Sequence, residues 1–123
     1  MTQPITAKEK ADFAKHTVKW QMLLGLGDWR IVNSAKPAGK NNLAEVAMCD
    51  LEARLASIRI GKDWGAAPKD PRRVEQLAVH ELLHVFLHEY RTTCADHRST
   101  DEHIMSVEHR VINTLTRILA GNA

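Results

Sequence analysis

The sequence predicts a single α+β domain over residues 1–123, with three helices and a small three-stranded, largely antiparallel sheet. A chain of 123 residues suits one domain with a modest core. Helix start and stop signals frame three periodic stretches, near the N-terminus, after residue 70 and near the C-terminus. Between the first two of these stretches, short β-prone segments alternate apolar and polar residues.

The first helix is predicted to begin after Thr6, because Glu9 three residues later completes a capping box. It is expected to run to about Leu24, where the glycines at 25 and 27 stop it. Its side chains expected in the core are Phe13, Val18, Met22 and Leu23.

Three strands are predicted, over residues 28–33, 43–52 and 54–60, the last two forming an antiparallel hairpin. In the third strand, Ala56, Ile58 and Ile60 alternate with more polar neighbours, which is typical of a half-buried strand. No strong turn dipeptide separates the second and third strands. A single helix over residues 44–55 therefore remains an alternative.

The second helix is predicted to begin at Asp70-Pro71, an N-cap followed by proline at the first helical position, and to run to about Tyr90. Its later turns are apolar nearly all round, so we expect this helix to be buried. Residues 92–100 are polar and are expected to form an irregular segment over part of a cleft. The last helix should begin after Ser99 or Thr100 and end at Gly121.

Composition excludes several classes of protein. Apolar residues make up 44% of the chain and charged residues 26%, with a net charge of +2, which argues against disorder and gives no support to nucleic-acid binding. Cys49 and Cys94 have no metal-ligand spacing, and we expect both thiols to be reduced. No secretory signal or membrane-spanning run is visible, so the sequence predicts a soluble, cytoplasmic protein without a membrane partner.

The chemistry is concentrated in one stretch of the second helix, Val-His-Glu-Leu-Leu-His-Val at 79–85. His80 and His84 are four residues apart, so they lie above one another on a helix, about 6 Å apart at Cβ. Both imidazoles can then reach one zinc ion, with Glu81 beside them as a candidate general base. The alternative is that each histidine is a core residue hydrogen-bonded to a backbone carbonyl.

Catalytic zinc usually takes three protein ligands. The candidates downstream are His88, His97, His103, His109, Glu89, Asp96, Asp101, Glu102 and Glu108. Helical phase favours Glu108, because Val111, Ile112 and Leu115 follow it at i+3, i+4 and i+7 and place it in the apolar stripe of the last helix. The alternative is a buried glutamate paired with Arg54 or Arg59.

Two further histidines, His88 and His97, follow the motif. His88 continues the four-residue spacing, but a helix rises about 12 Å over the eight residues from His80, too far for one ion. We expect His88 to be a helix-end group or an outer partner of the site. His97, in the polar segment, is the best alternative ligand and could instead contact substrate.

The motif His80-Glu81-Leu82-Leu83-His84, with Glu108 on the next helix, resembles the gluzincin branch of the zinc metallopeptidases. The order of elements is similar to that of a minimal zincin, such as the small SprT-like and phage-encoded proteins. The resemblance implies an extended peptide or protein substrate along a sheet edge, for which strand 54–60 is the candidate. Many gluzincins carry an orienting aspartate four residues after the glutamate ligand, where this chain has Ile112.

The resulting hypothesis is a zinc-dependent peptidase. His80, His84 and Glu108 hold Zn²⁺, and Glu81 moves the proton of the attacking water. The candidates for the oxyanion stabiliser or a substrate contact are Tyr90, His97, His109 and Arg110. One alternative is a non-catalytic, zinc-stabilised binding module. Another is a DNA-associated protease of the SprT-like kind, with phosphate contacts from Arg72, Arg73, Arg91 and Arg98.

Overall fold

The computed structural model describes residues 3–121 and shows an α+β arrangement of three helices and a three-stranded mixed sheet. The elements are α1 (Ala7–Leu23), β1 (Arg30–Asn33), β2 (Ala44–Asp50), β3 (Leu55–Ile60), α2 (Pro71–Ala95) and α3 (Asp101–Ala120). None of the helices in this part of the chain is long and apolar enough to cross a bilayer.

The predicted helix caps are confirmed. Thr6 and Glu9 form the reciprocal capping box of α1, and the carboxylate of Asp70 accepts a hydrogen bond from the backbone N–H of Arg72 at the start of α2. The Thr100 hydroxyl caps α3, which ends at Gly121 with a φ of +76°. These ends agree with the prediction because a cap is made by residues close to one another in sequence.

Helix α2 continues to Ala95, five residues beyond the predicted end at Tyr90, so the irregular segment is limited to residues 96–100. The reason is that residues 91–95 contain neither glycine nor proline, and polarity alone does not terminate a helix. The prediction that α2 is buried all round is also wrong. His80, His84 and Leu87 are exposed, while Ala78, Leu82 and Val85 face the core.

The strand order is β1-β3-β2, so β3 is the central strand. The β2–β3 hairpin is antiparallel as predicted, which rules out the alternative helix over 44–55, but β1 pairs with β3 in parallel. The sheet is therefore mixed and not largely antiparallel. The β2–β3 turn ends at Arg54 with a φ of +52°, a left-handed conformation that a search for glycine or asparagine turns does not detect.

The core lies between β3 and the inner faces of α1 and α2. Ala56, Ile58 and Ile60 are buried and their neighbours in β3 less so, as the alternation predicted. Two clusters form, one around Phe13, Ile58 and Trp64, the other around Trp29, Leu82 and Val85. Of the α1 side chains expected in the core only Phe13 is buried; the prediction was wrong for Val18, Met22 and Leu23, which are exposed.

The apolar stripe predicted for α3 is only partly correct: Val111 and Leu115 are half-buried, but the buried face is rotated towards Val107. Val107 is 2% exposed and faces the protein, whereas Met105, Ile112 and Leu119 are 47–83% exposed. Glu108 is also exposed, so it does not occupy the centre of a buried stripe. The exact phase of an amphipathic helix depends on the surface that packs against it, which the local pattern does not contain.

Candidate metal centre

The motif on α2 brings three potential metal-binding side chains together. His80, Glu81 and His84 each offer one ligand atom, and these atoms all lie within 4.8 Å of one another. The two imidazole rings meet edge to face, with centroids 5.0 Å apart. Adjacent turns of one helix are sufficient to set this geometry, because residues i and i+4 share a face.

Glu81 is 4% exposed, while both histidines beside it are exposed. Burial raises the pKa of the Glu81 carboxyl, Glu45 raises it further, and the charges of His80 and His84 act in the opposite direction. The Oε2 atom of Glu81 is buried and has no hydrogen-bond partner among residues 3–121. An unpaired buried carboxylate oxygen is costly, and a bound cation or a proton would satisfy it.

The centre opens into a groove of about 540 Å³ between β2 and α2. The α2 wall of the groove is made by Glu81, His84, His88 and Arg91, and the β2 wall by residues 44–49. Strand β2 pairs only with β3, so its other edge has no strand partner in the described part of the chain. The register shifts between Val46 and Met48, a bulge of the kind that often re-aims side chains beside a site.

The position of β3 corrects the expected substrate strand. Strand 54–60 was the candidate edge, but β3 is paired with β1 on one side and β2 on the other, so it cannot accept a further strand. The free edge beside the motif belongs to β2. Pairing order depends on contacts distant in sequence, and for that reason the strand pattern did not indicate it.

Glu108 is not brought to the two histidines. Its Oε2 accepts a hydrogen bond of 3.1 Å from the Tyr90 hydroxyl, and it is outside the group of ligand atoms around His80. Tyr90 is six residues beyond His84, about 9 Å further along α2. The alternative pairing of Glu108 with Arg54 or Arg59 is also not found, since Arg54 lies near Asp28 and Glu89 and Arg59 near Glu45.

The candidates for oxyanion stabilisation also lie elsewhere. Tyr90 and Arg110 line a separate cleft of about 340 Å³ with Trp29 and Glu89, where Arg110 donates a 3.1 Å hydrogen bond to Glu89. The His109 ring nitrogen Nδ1 is 3.0 Å from the carbonyl oxygen of Met105. His97 is exposed in the segment between α2 and α3. None of the four lines the groove.

Tyr90 has an unusual environment of its own. Hydrogen bonds with the Cys94 thiol and with Glu108 raise the pKa of its phenol to about 12. Both cysteines are free thiols, as expected. The exposed Cys94 belongs to this cluster, while Cys49 lines the groove, where burial raises its pKa.

Two residues of the groove were not assigned to the site from the sequence. Arg91 could have been found, because Glu81, His84, His88 and Arg91 follow one another at i, i+3, i+7 and i+10 and so share one face of α2. Glu45 is on β2, 36 positions before Glu81 in the sequence, and only the packing of β2 against α2 brings it there. Of the other arginines proposed for phosphate contact, Arg72 and Arg98 form ion pairs with their neighbours Asp70 and Asp96.

Comparisons with known protein families, with curated proteins and with solved structures found no match to this chain.

Proposed function

We propose that this protein is a zinc-dependent peptidase whose centre is formed by His80, Glu81 and His84. The observation that carries the proposal is the grouping of three ligand atoms within 4.8 Å, one of them on a buried carboxylate with an unpaired oxygen. Imidazole nitrogen is a donor that catalytic zinc takes in proteins, so His80 and His84 fit that ion, with Glu81 beside them as the base. A zinc ion held there would lower the pKa of a water molecule and polarise a carbonyl group.

The groove gives the substrate a place beside this centre. An extended peptide can add to the free edge of β2 through main-chain hydrogen bonds, which would lay it beside Glu81 and His84. Glu81 lines the same groove, and its role is that of the general base. It accepts a proton from the attacking water and returns that proton to the leaving amine.

The chemistry is tested with Glu81→Gln, which keeps the size of the side chain and removes the basic carboxylate. Hydrolysis of a peptide library should fall by roughly 10²–10⁴-fold in kcat/KM while the zinc content stays the same. Hydrolysis at the wild-type rate by the zinc-loaded variant would refute the role of Glu81. His84→Ala is the companion variant, which should lose both zinc and hydrolysis.

Zinc titration tests the ligand set separately. We expect His84→Ala to weaken zinc binding by more than the roughly 10–100-fold that loss of an outer partner costs. Glu108→Ala should leave the affinity unchanged, because Glu108 is bonded to Tyr90 and not placed near the histidines. A sharp loss of affinity in Glu108→Ala would instead require α3 to bring this carboxylate to the ion.

The second candidate is a zinc-stabilised binding module without turnover. It is favoured by one observation: among residues 3–121 the group of ligand atoms contains no third ligand besides Glu81 itself. If Glu81 holds the ion, it is not free to act as a base. Zinc binding that depends on Glu81, with no hydrolysis of any peptide, would select this candidate.

A further inference from the structure

The groove beside the centre has different charges at its two ends. Glu81 and Glu45 lie together at one end, since the charge of Glu45 acts on the Glu81 carboxyl. Arg91 lies at the other end with Cys49. Burial raises the pKa of the Cys49 thiol, and the positive charge of Arg91 lowers it by a smaller amount. A ligand that fills the groove therefore meets Glu81 and Glu45 at one end, the latter beside Arg59, and the guanidinium of Arg91, unpaired among residues 3–121, at the other.

Arg91 is available to a ligand. Its side chain is exposed, and no carboxylate among the described residues lies within ion-pair distance of it. Arg72 and Arg98, near the two ends of the same helix, each pair with an aspartate. A guanidinium prefers a carboxylate or phosphate that it can contact with two parallel hydrogen bonds.

The distance from the centre to Arg91 can be expressed in residues of an extended peptide. His84 and Arg91 are seven positions apart on α2, a rise of about 10 Å. An extended chain advances about 3.3 Å per residue, so about three residues span this distance. A side chain three positions from the scissile bond would then lie beside Arg91.

The direction of the peptide follows from the orientation of β2. Glu45 lies at the Glu81 end and Cys49 at the Arg91 end, so β2 runs from the centre towards Arg91. Antiparallel pairing is the more stable per residue. A peptide added antiparallel to β2 therefore has its N-terminal part beside Arg91.

The geometry points to Arg91 as a specificity-determining residue, which selects peptide substrates with an acidic side chain about three residues N-terminal to the scissile bond. This inference rests on the proposed peptidase function. The chemical class of the substrate is an extended peptide with Asp or Glu at that position.

The test uses peptides of one sequence that differ only in carrying Glu, Gln or Lys at single positions on both sides of the cleaved bond. With wild-type, zinc-loaded protein, Glu at the third position on the N-terminal side should raise kcat/KM over Gln by about 1.4- to 5-fold, the range of an exposed ion pair. Lys at that position should lower kcat/KM relative to Gln, and added salt should reduce both effects.

Arg91→Glu should reverse the order, so that the Lys peptide becomes the better substrate. The matched control is Arg117→Glu, which makes the same change of net charge on α3, outside the groove. It should keep the wild-type order. Equal rates for all three peptides at every position, a preference that survives Arg91→Glu, or a preference on the C-terminal side would overturn the inference.

Failure of the chemistry is distinguished by measuring binding. Labelled versions of the same peptides are titrated with the zinc-loaded Glu81→Gln protein, and fluorescence anisotropy measures their binding in the absence of hydrolysis. A Glu preference in binding that Arg91→Glu reverses, together with no hydrolysis by the wild type, supports the role of Arg91 and refutes the peptidase function. Hydrolysis that depends on Glu81 but ignores the charge of the peptide supports the peptidase and refutes the role of Arg91.

Discussion

Replacing Glu81 by methionine should stabilise the metal-free protein. Glu81 is 4% exposed, and its Oε2 atom has no hydrogen-bond partner in the described chain. Leaving one buried acceptor unpaired costs about 1–3 kcal/mol, and methionine fills a similar volume without a polar atom. We therefore expect Glu81→Met to increase the free energy of unfolding by about 1–3 kcal/mol.

The corresponding change in Tm follows from the size of the domain. At about 2.1 cal/mol/K per residue, a chain of this length unfolds with an entropy of roughly 0.26 kcal/mol/K, so the Tm should rise by roughly 4–12 °C. The assay is thermal and urea unfolding of chelator-treated protein, followed by circular dichroism. The urea m-value should not change, because both proteins bury the same surface.

Thr17→Val is the matched control, a buried polar side chain whose hydrogen bonds are made. Thr17 is 1% exposed; its hydroxyl donates to the Ala14 carbonyl at 2.7 Å and accepts from the Asn33 side chain at 3.2 Å. This variant should lose about 1–2 kcal/mol of stability. If Glu81→Met destabilises the metal-free protein as Thr17→Val does, then Glu81 is a structural residue and its unpaired oxygen carries no net cost. A gain would mean that the protein keeps Glu81 at a cost in stability, which is typical of functional residues.

Three further variants or titrations test other parts of the structure. Gly61→Ala should lower the free energy of unfolding in urea by about 1–3 kcal/mol, because the new Cβ would lie 2.7 Å from a backbone carbonyl oxygen. Gly27→Ala is the control and should leave the stability unchanged, because no atom lies nearer than 3.8 Å to its Cβ. Equal effects of the two variants would contradict this prediction. The indole of Trp20 and the ammonium of Lys19 hold the pKa of Glu75 in the folded protein below its usual 4.5. The stability that these contacts add is therefore present above pH 4.5 and is lost as the pH falls through the pKa of Glu75 in the folded protein. Glu75→Gln should reduce this loss of stability at acid pH, and an unchanged loss would count against the hydrogen bond from Trp20 to Glu75. The single tyrosine, Tyr90, should ionise near pH 12 in an absorbance titration, and phenolate formation near its ordinary pKa of 10.0 would show that its hydrogen bonds are not made.

The sequence by itself determined what depends on neighbours along the chain. The caps at Thr6, Asp70 and Thr100 are made by residues within three positions, so the helix starts were correct. The grouping of His80, Glu81 and His84 follows from the pitch of a single helix. In the same way, the alternation in β3 follows from the two-residue period of a strand.

Only the tertiary structure decided what depends on which surfaces meet. The central place of β3 and the parallel pairing of β1 are set by contacts that no local pattern contains. The phase of α3 depends on the surface that packs against it: Val107 is buried, Ile112 is exposed, and Glu108 is bonded to Tyr90. The groove exists because β2 packs beside α2, and that contact adds Glu45 and a free strand edge to a centre that the helix alone had assembled.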